Sequence, residues 1–143
     1  MRNFLYSLAA ALLALSPAAA QAGGMTVYKT PTCGCCKAWV AHLRDAGFEV
    51  QVRDLTDVTP EKQRLGVPPR LASCHTAEID GYVIEGHVPA ADIRRLLGSR
   101  PAVTGIAVPG MPMGSPGMEY GPPVPYDVIA FRPDGTLELF ASH

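Results

Sequence analysis

Two short stretches of the chain have the patterns of strands, and a stretch with helical spacing separates them. Residues 25–29 are rich in strand-forming side chains, and residues 48–55 alternate like a half-buried strand. Between them, residues 36–46 place their apolar side chains on one helical face, and Thr32 is a suitable N-cap. The order predicts a βαβ unit whose strands run parallel through a right-handed crossover.

The pattern continues with shorter elements. Residues 59–65 predict a short helix that has Thr59 as its N-cap and a proline at the next position. Residues 79–87 predict a turn and a strand in an antiparallel pair, and residues 88–97 predict a further helix. The inward side chains of that helix are expected to be Ile93, Leu96 and Leu97.

Residues 101–125 break the pattern. They contain seven of the fourteen prolines and five of the fourteen glycines, and no apolar period. This composition predicts an irregular loop without a helix or a central strand. Residues 126–140 then alternate around a Pro-Asp-Gly turn and predict a β-hairpin, so we expect the loop to lie back over the domain.

The chain begins with the features of a secretory signal peptide at residues 1–22. Arg2 precedes an apolar run over residues 4–15, and Ala20-Gln21-Ala22 has the small-x-small pattern of a cleavage site. Cleavage would leave residues 23–143 as a single domain, exported to the periplasm, with no later stretch long enough for a membrane span. A retained N-terminal anchor is the less favoured alternative. The formal net charge of −1 becomes −2 without Arg2, and no basic run remains, so nucleic acid is not an expected partner.

Three of the four cysteines lie in Cys33-Gly34-Cys35-Cys36, at the predicted start of the first helix. Unpaired backbone N–H groups and the helix dipole favour thiolates there. Cys33 and Cys36 have the CxxC spacing of thiol–disulfide exchange enzymes, whereas three clustered thiolates suit Cu(I), Zn(II) or an iron–sulfur cluster. The spacing leaves both chemistries open, and buried inert cysteines are the less favoured alternative.

The fourth cysteine, Cys74, follows a Val67–Pro68 turn that is expected to lead into a strand reaching Cys74. Thioredoxin-like folds use such a turn, often with a cis proline, opposite their active cysteines. Because a βα unit with an N-terminal CxxC precedes it, we favour a thioredoxin-like α/β fold. Cys74 would then lie beside the other three thiols.

The histidines give a weaker signal. By strand alternation His75 should lie on the face opposite Cys74, which argues against its being a ligand. His87, at the turn before the last helix, is about as often a ligand as a capping residue. His42 and His143 are expected to face solvent.

Three methionines in the irregular loop, Met111, Met113 and Met118, favour copper among the metals. A single methionine is commonly core packing, but this segment has no evident core to fill. Thioethers bind Cu(I) and are poor ligands for Zn(II).

Taken together, these stretches resemble the CopG-like periplasmic copper-resistance proteins, the thioredoxin-like family with a CxCC motif. The matching segments are 28–36, 66–68, 73–76, 81–89, 111–112 and 114–119. The resemblance implies a thioredoxin-like domain with a Pro/Gly/Met-rich loop and a C-terminal β-hairpin extension. It also implies metal-ligand roles for Cys33, Cys35, Cys36 and Cys74, supported by His87, Met111 and Met118.

We therefore predict a periplasmic Cu(I)-binding protein of copper tolerance that holds several ions. Delivery of copper to other periplasmic copper-handling proteins is a further alternative, and storage, transfer and redox cycling of the copper stay open. Oxidation would form a Cys33–Cys36 disulfide or a pair that involves Cys74, and would remove ligands, since only thiolates bind. The alternative is a periplasmic thiol–disulfide oxidoreductase that uses Cys33 and Cys36. The resemblance establishes no enzymatic activity, so copper or thiol oxidoreductase activity stays open.

Overall fold

A seven-stranded mixed sheet organises the chain in the computed structural model, which describes residues 23–143. The strands lie in the order β2-β1-β3-β4-β5-β6-β7. In chain order the elements are β1 (Met25–Lys29), α1 (Gly34–Asp45), β2 (Val50–Asp54), α2 (Thr59–Arg64), a 3-10 turn (Pro69–Leu71), β3 (Thr76–Ile79), β4 (Tyr82–Glu85), α3 (Ala90–Ser99), β5 (Gly105–Ala107), β6 (Asp127–Phe131) and β7 (Leu137–Ser142). The predicted signal peptide lies outside the described residues.

The βαβ prediction is confirmed, because β1 and β2 pair in parallel on either side of α1 in the sequence. The start of α1 differs from the prediction. Cys33, not Thr32, is the N-cap, and its sulfur accepts a hydrogen bond from the Cys36 backbone N–H at 3.3 Å. The Cys33 N–H bonds back to the Thr30 carbonyl, so the preceding turn delays the helix by one residue relative to Thr32.

The segment before β3 also differs from the prediction. The consecutive prolines lead into the 3-10 turn, so β3 begins only at Thr76 and Cys74 precedes it. No peptide bond among residues 23–143 is cis, so the proline of the Val67–Pro68 turn is trans. The short helix α2 has Val58 as its N-cap, because Thr59 lies inside the helix with its N–H bonded to Asp57.

The expectation of no central strand in residues 101–125 is wrong. β5 lies between β4 and β6, parallel to β4 and antiparallel to β6. All three of its residues are buried, and a Cβ at Gly105 would lie 2.0 Å from the Val83 carbonyl oxygen. A three-residue strand beside so many prolines gives no periodic signal. Through β5, the β6–β7 hairpin continues the main sheet.

Both faces of the sheet are covered. On one face α1 and α3 bury a large apolar core that includes Trp39, Leu43, Ile93 and Leu96, with Leu97 packed against it. On the other face a smaller cluster forms beneath α2 and the 3-10 turn, from Val67, Leu71, Val83, Ala107 and Phe131. No helix within residues 23–143 is long and apolar enough to cross a membrane.

Candidate metal centre

The four cysteines meet where the N-terminus of α1 faces the segment that precedes β3. Their four sulfur atoms all lie within 4.8 Å of one another. The Cys35 sulfur is 3.5 Å from that of Cys33 and 3.7 Å from that of Cys74. Cys33 and Cys36 form a disulfide, while Cys35 and Cys74 are free and half-buried. The structure therefore brings together four soft ligands, two of them oxidised.

A buried ion pair positions the Cys74 segment. Lys62 on α2 donates to the Glu85 carboxylate at 2.5 Å, and the same carboxylate oxygen accepts from the Ser73 N–H at 2.6 Å. The Ser73 hydroxyl in turn donates to the Gly110 carbonyl at 2.5 Å. Ser73, the residue before Cys74, is thus held both by the Lys62–Glu85 pair and by the irregular loop. The hydropathy pattern gives no indication of this pair, because its partners are 23 residues apart.

Two buried histidines contact Cys74. The His87 Nε2 lies 3.1 Å and the His75 Nδ1 3.5 Å from the Cys74 sulfur. Burial lowers the pKa of His87, and it lowers the pKa of His75 well below its ordinary value, so the neutral form of both rings is favoured. The prediction that His75 lies on the face opposite Cys74 is wrong, because both residues precede β3 and strand alternation does not apply to them.

The other two histidines, His42 and His143, bond to residues other than the cysteines. His42 is half-buried rather than exposed: its Nε2 accepts from the Ala90 N–H at 3.1 Å, at the start of α3. His143 is exposed as predicted, and its Nε2 lies 2.7 Å from the Asp92 carboxylate.

The irregular loop packs against the start of α1 and against His87. The Pro116 carbonyl accepts from His87 Nδ1 at 2.8 Å. A Cβ at Gly117 would lie 2.7 Å from the Cys35 carbonyl oxygen and 2.9 Å from the Trp39 backbone nitrogen. Met118 follows these contacts directly and is half-buried.

The other two loop methionines are more exposed. Met111 follows the Gly110 contact to Ser73 and is 52% exposed. Met113 is 37% exposed, and its terminal carbon lies near Gly121. Met111 and Met118 therefore flank the site in the chain, next to residues that touch it, whereas Met113 faces the loop itself.

The arrangement supplies two ligand sets that share one sulfur. One is the four cysteines, and the other is Cys74 with His75 and His87. Thiolates and thioethers are ligands for Cu(I), and imidazoles suit divalent zinc and copper. The site is therefore suited to soft or borderline metal ions.

Alkylation of Cys74 is expected to be slow near neutral pH. Burial, and then the neighbouring Cys35, raise the pKa of Cys74 to about 11. Only about one part in a thousand would be thiolate at pH 8, and the rate with iodoacetamide should rise about tenfold per pH unit up to pH 11. Peptide mass spectrometry of the disulfide-bonded protein would follow Cys74 separately from Cys35. The control is the denatured chain, where the pKa returns to about 8.5. A rate that already levels off near pH 8.5 in the folded protein would contradict the expectation.

Comparison with known proteins gives the family. The family described as "Protein of unknown function, DUF411" matches residues 71–118, from the end of the 3-10 turn to Met118. Two solved structures named copper resistance protein CopG are similar. Form 2 is 45% identical, with a TM-score of 0.80 over 84% of this chain and 97% of that one. Form 1 is 44% identical, with a TM-score of 0.81 over 86% and 98%.

No curated protein matches the chain. The structural similarity, with the observed βαβ unit followed by β3, β4 and α3, confirms the thioredoxin-like α/β fold. The identity and coverage also confirm the resemblance drawn from the CxCC and Met-rich segments. The chain belongs to the CopG-like family of copper resistance proteins.

Proposed function

We propose that the protein is a periplasmic copper-binding protein of copper tolerance that holds several Cu(I) ions in a thiolate site. The single observation that supports this most is the convergence of four cysteine sulfurs within 4.8 Å of one another. One Cu(I) needs only two or three soft ligands, so four bridging thiolates can serve more than one ion. The ligands are Cys33, Cys35, Cys36 and Cys74, with His87, Met111 and Met118 in support.

Copper is favoured over other soft-metal choices by the methionine loop. Its backbone lies against Cys35 and His87, and Met118 comes next in the chain. Thioethers add affinity for Cu(I) but not for Zn(II). The two similar structures are named for copper resistance, which agrees with this choice. Periplasmic location rests on the signal sequence predicted for residues 1–22.

Binding depends on the redox state of the cysteines. The Cys33–Cys36 disulfide withholds two of the four sulfurs, because a disulfide sulfur is not a thiolate ligand. Reduction supplies two electrons and two protons and restores both thiols. Copper retention would therefore follow the thiol redox state of the compartment.

Copper loading of the reduced protein tests the proposal. Cu(I) is added anaerobically to reduced protein, unbound metal is removed, and copper per chain is measured, with affinity taken from competition with a Cu(I) chelator. More than one tightly held copper is expected. Cys35→Ser should reduce the number of ions, and Met118→Ala should weaken binding about tenfold.

Met113→Ala is the matched control, because Met113 is in the same loop and faces Gly121. It should leave the stoichiometry unchanged. At most one weakly held ion, displaced by zinc and insensitive to Met118→Ala, would overturn the proposal.

A second function, thiol–disulfide exchange on protein substrates, is favoured by one observation. The Cys33–Cys36 disulfide lies at the N-terminus of α1, where such enzymes place their active pair. Cys35→Ser separates the two functions, because disulfide exchange should survive it while the number of bound copper ions should fall.

A further inference from the structure

The disulfide leaves one ligand set complete. Cys74, His75 and His87 do not take part in the Cys33–Cys36 bond, and their ligand atoms lie within 4.8 Å of one another. They come from the segment before β3 and from the turn after β4. Oxidised protein therefore retains one sulfur and two nitrogens in a group.

The hydrogen bonds of the two rings fix which nitrogens are free. The His87 Nδ1 faces the Pro116 carbonyl at 2.8 Å, and the His75 Nε2 faces the Gly86 carbonyl at 2.9 Å. A carbonyl only accepts, so each of these nitrogens carries the proton. The remaining nitrogens, His87 Nε2 and His75 Nδ1, present lone pairs to Cys74. Metal-binding histidines are commonly oriented by such carbonyl contacts.

Residues 23–143 alone do not satisfy both lone pairs. The Cys74 thiol has one proton to donate, yet it faces two acceptor nitrogens at 3.1 and 3.5 Å. Both rings are fully buried, and His75 is covered by the Trp39 ring, with centroids 4.3 Å apart. An unpaired buried acceptor costs about 1–3 kcal/mol. A metal ion in place of the thiol proton would engage all three atoms.

The spacing fits one ion. With a metal–sulfur bond of about 2.3 Å and metal–nitrogen bonds of about 2.0–2.1 Å, sulfur–nitrogen separations of this size correspond to angles of roughly 90–110°. Such angles suit a tetrahedral ion that has one position left for a further ligand. Two imidazoles and one thiolate form a donor set for divalent zinc or copper rather than a thiolate cluster.

We propose that the disulfide-bonded form binds one divalent ion of the zinc or Cu(II) type through Cys74 Sγ, His75 Nδ1 and His87 Nε2. Binding releases the Cys74 proton to solvent and involves no electron transfer. The inference deepens the proposed function, since Cys74 is shared: reduction of Cys33–Cys36 favours the Cu(I) site, and oxidation favours the divalent site. It gives His75 a ligand role.

Cobalt(II) is the probe, because free thiols do not reduce it and thiolate-bound tetrahedral cobalt absorbs in the visible. Disulfide-intact protein is titrated anaerobically with Co(II), followed by displacement with Zn(II). One ion per chain with a thiolate-to-cobalt band is expected. Cys74→Ser and His75→Gln should each weaken binding about 100-fold. His143→Gln, at an exposed histidine paired with Asp92, is the matched control and should bind as the unmodified protein does.

Cys35→Ser separates the two sites, because it should lower Cu(I) loading of the reduced protein and retain Co(II) binding by the oxidised protein. Should His75→Gln fail to fold, X-ray absorption of the Zn(II)-loaded unmodified protein decides, with one sulfur and two imidazoles expected. A zinc site without imidazole, or Co(II) binding that survives Cys74→Ser, would overturn the inference. Either result would leave the proposed Cu(I) site standing. Failure of Cu(I) loading in the reduced protein would likewise leave the proposed divalent site standing.

Discussion

Replacing Lys62 by methionine is expected to destabilise the protein by about 3–5 kcal/mol. The Lys62 side chain is 10% exposed and its Glu85 partner is fully buried. Methionine fills similar space but leaves the carboxylate without its cation, and one of its oxygens, Oε2, already has no hydrogen-bond partner among the described residues. An uncompensated buried charge is among the most costly single changes in a folded protein.

The stability lost on replacing Lys62 by methionine should depend on pH. Burial raises the pKa of Glu85, while Lys62 lowers it, so removing Lys62 raises that pKa further. A carboxyl with a raised folded-state pKa contributes stability below its unfolded pKa and loses it as pH rises through the folded value. The destabilisation by Lys62→Met should therefore be smaller in mild acid than at pH 8.

Arg64→Met is the matched control, because Arg64 lies on the same helix and pairs with Glu61 and Glu78 in an exposed position. Exposed pairs contribute about 0–1 kcal/mol, so urea unfolding should show a change within that range. A similarly small change for Lys62→Met would show that water reaches Glu85 and that the pair is not structurally important.

Lys62→Met should also weaken metal binding. The Glu85 oxygen that receives Lys62 also receives the Ser73 N–H, so movement of Glu85 moves the segment that places Cys74. Cu(I) affinity of the reduced variant should fall about tenfold, as is usual when the support of a ligand is removed. A large stability loss with unchanged Cu(I) affinity would show that the pair supports the sheet but not Cys74.

The sequence predicts the metal-binding residues better than it predicts the contacts that hold them in place. Cys33, Cys35 and Cys36 lie within four consecutive residues, so their proximity follows from spacing alone. The Val67–Pro68 turn predicts that Cys74 lies beside them, and the structure confirms this position of Cys74, although no cis proline occurs among the described residues. These are local signals with a direct physical reading.

His75 and β5 show where local patterns fail. The predicted face of His75 depends on alternation, which holds only inside a strand. The prolines lead into the 3-10 turn, and β3 begins only after His75, so His75 is not part of a strand. β5 is three residues long and is defined by its neighbours β4 and β6 rather than by its own sequence. Both features depend on tertiary context, and so does the buried Lys62–Glu85 pair.

Replacing Gly117 by alanine is expected to destabilise the protein by about 2–4 kcal/mol and to weaken Cu(I) binding about tenfold. Gly117 has φ +87°, a conformation that costs a non-glycine residue about 1 kcal/mol or more. The larger part is steric: the new methyl group would lie 2.7 Å from the Cys35 carbonyl and 2.9 Å from the Trp39 nitrogen, both backbone atoms of α1. Overpacking of this kind typically costs about 1–3 kcal/mol.

The clash can be relieved only if the loop moves away from α1. The Pro116 carbonyl that orients His87 lies one residue before Gly117, and Met118 lies one residue after it. A displaced loop would therefore release the His87 ring and withdraw the Met118 thioether together. Loss of Cu(I) affinity should accompany the loss of stability, rather than follow only when the protein unfolds.

Gly110→Ala is the matched control for backbone strain. Gly110 is in the same loop and has φ +69°, but a Cβ there would meet nothing within 4 Å. It should cost only the strain, about 1 kcal/mol, and leave Cu(I) affinity nearly unchanged. The difference between the two variants, measured by urea unfolding and chelator competition, isolates the contact between the loop and α1. Equal effects of the two substitutions would mean that the loop does not press on the start of α1 in solution, and Met118 would then lose its support as a copper ligand.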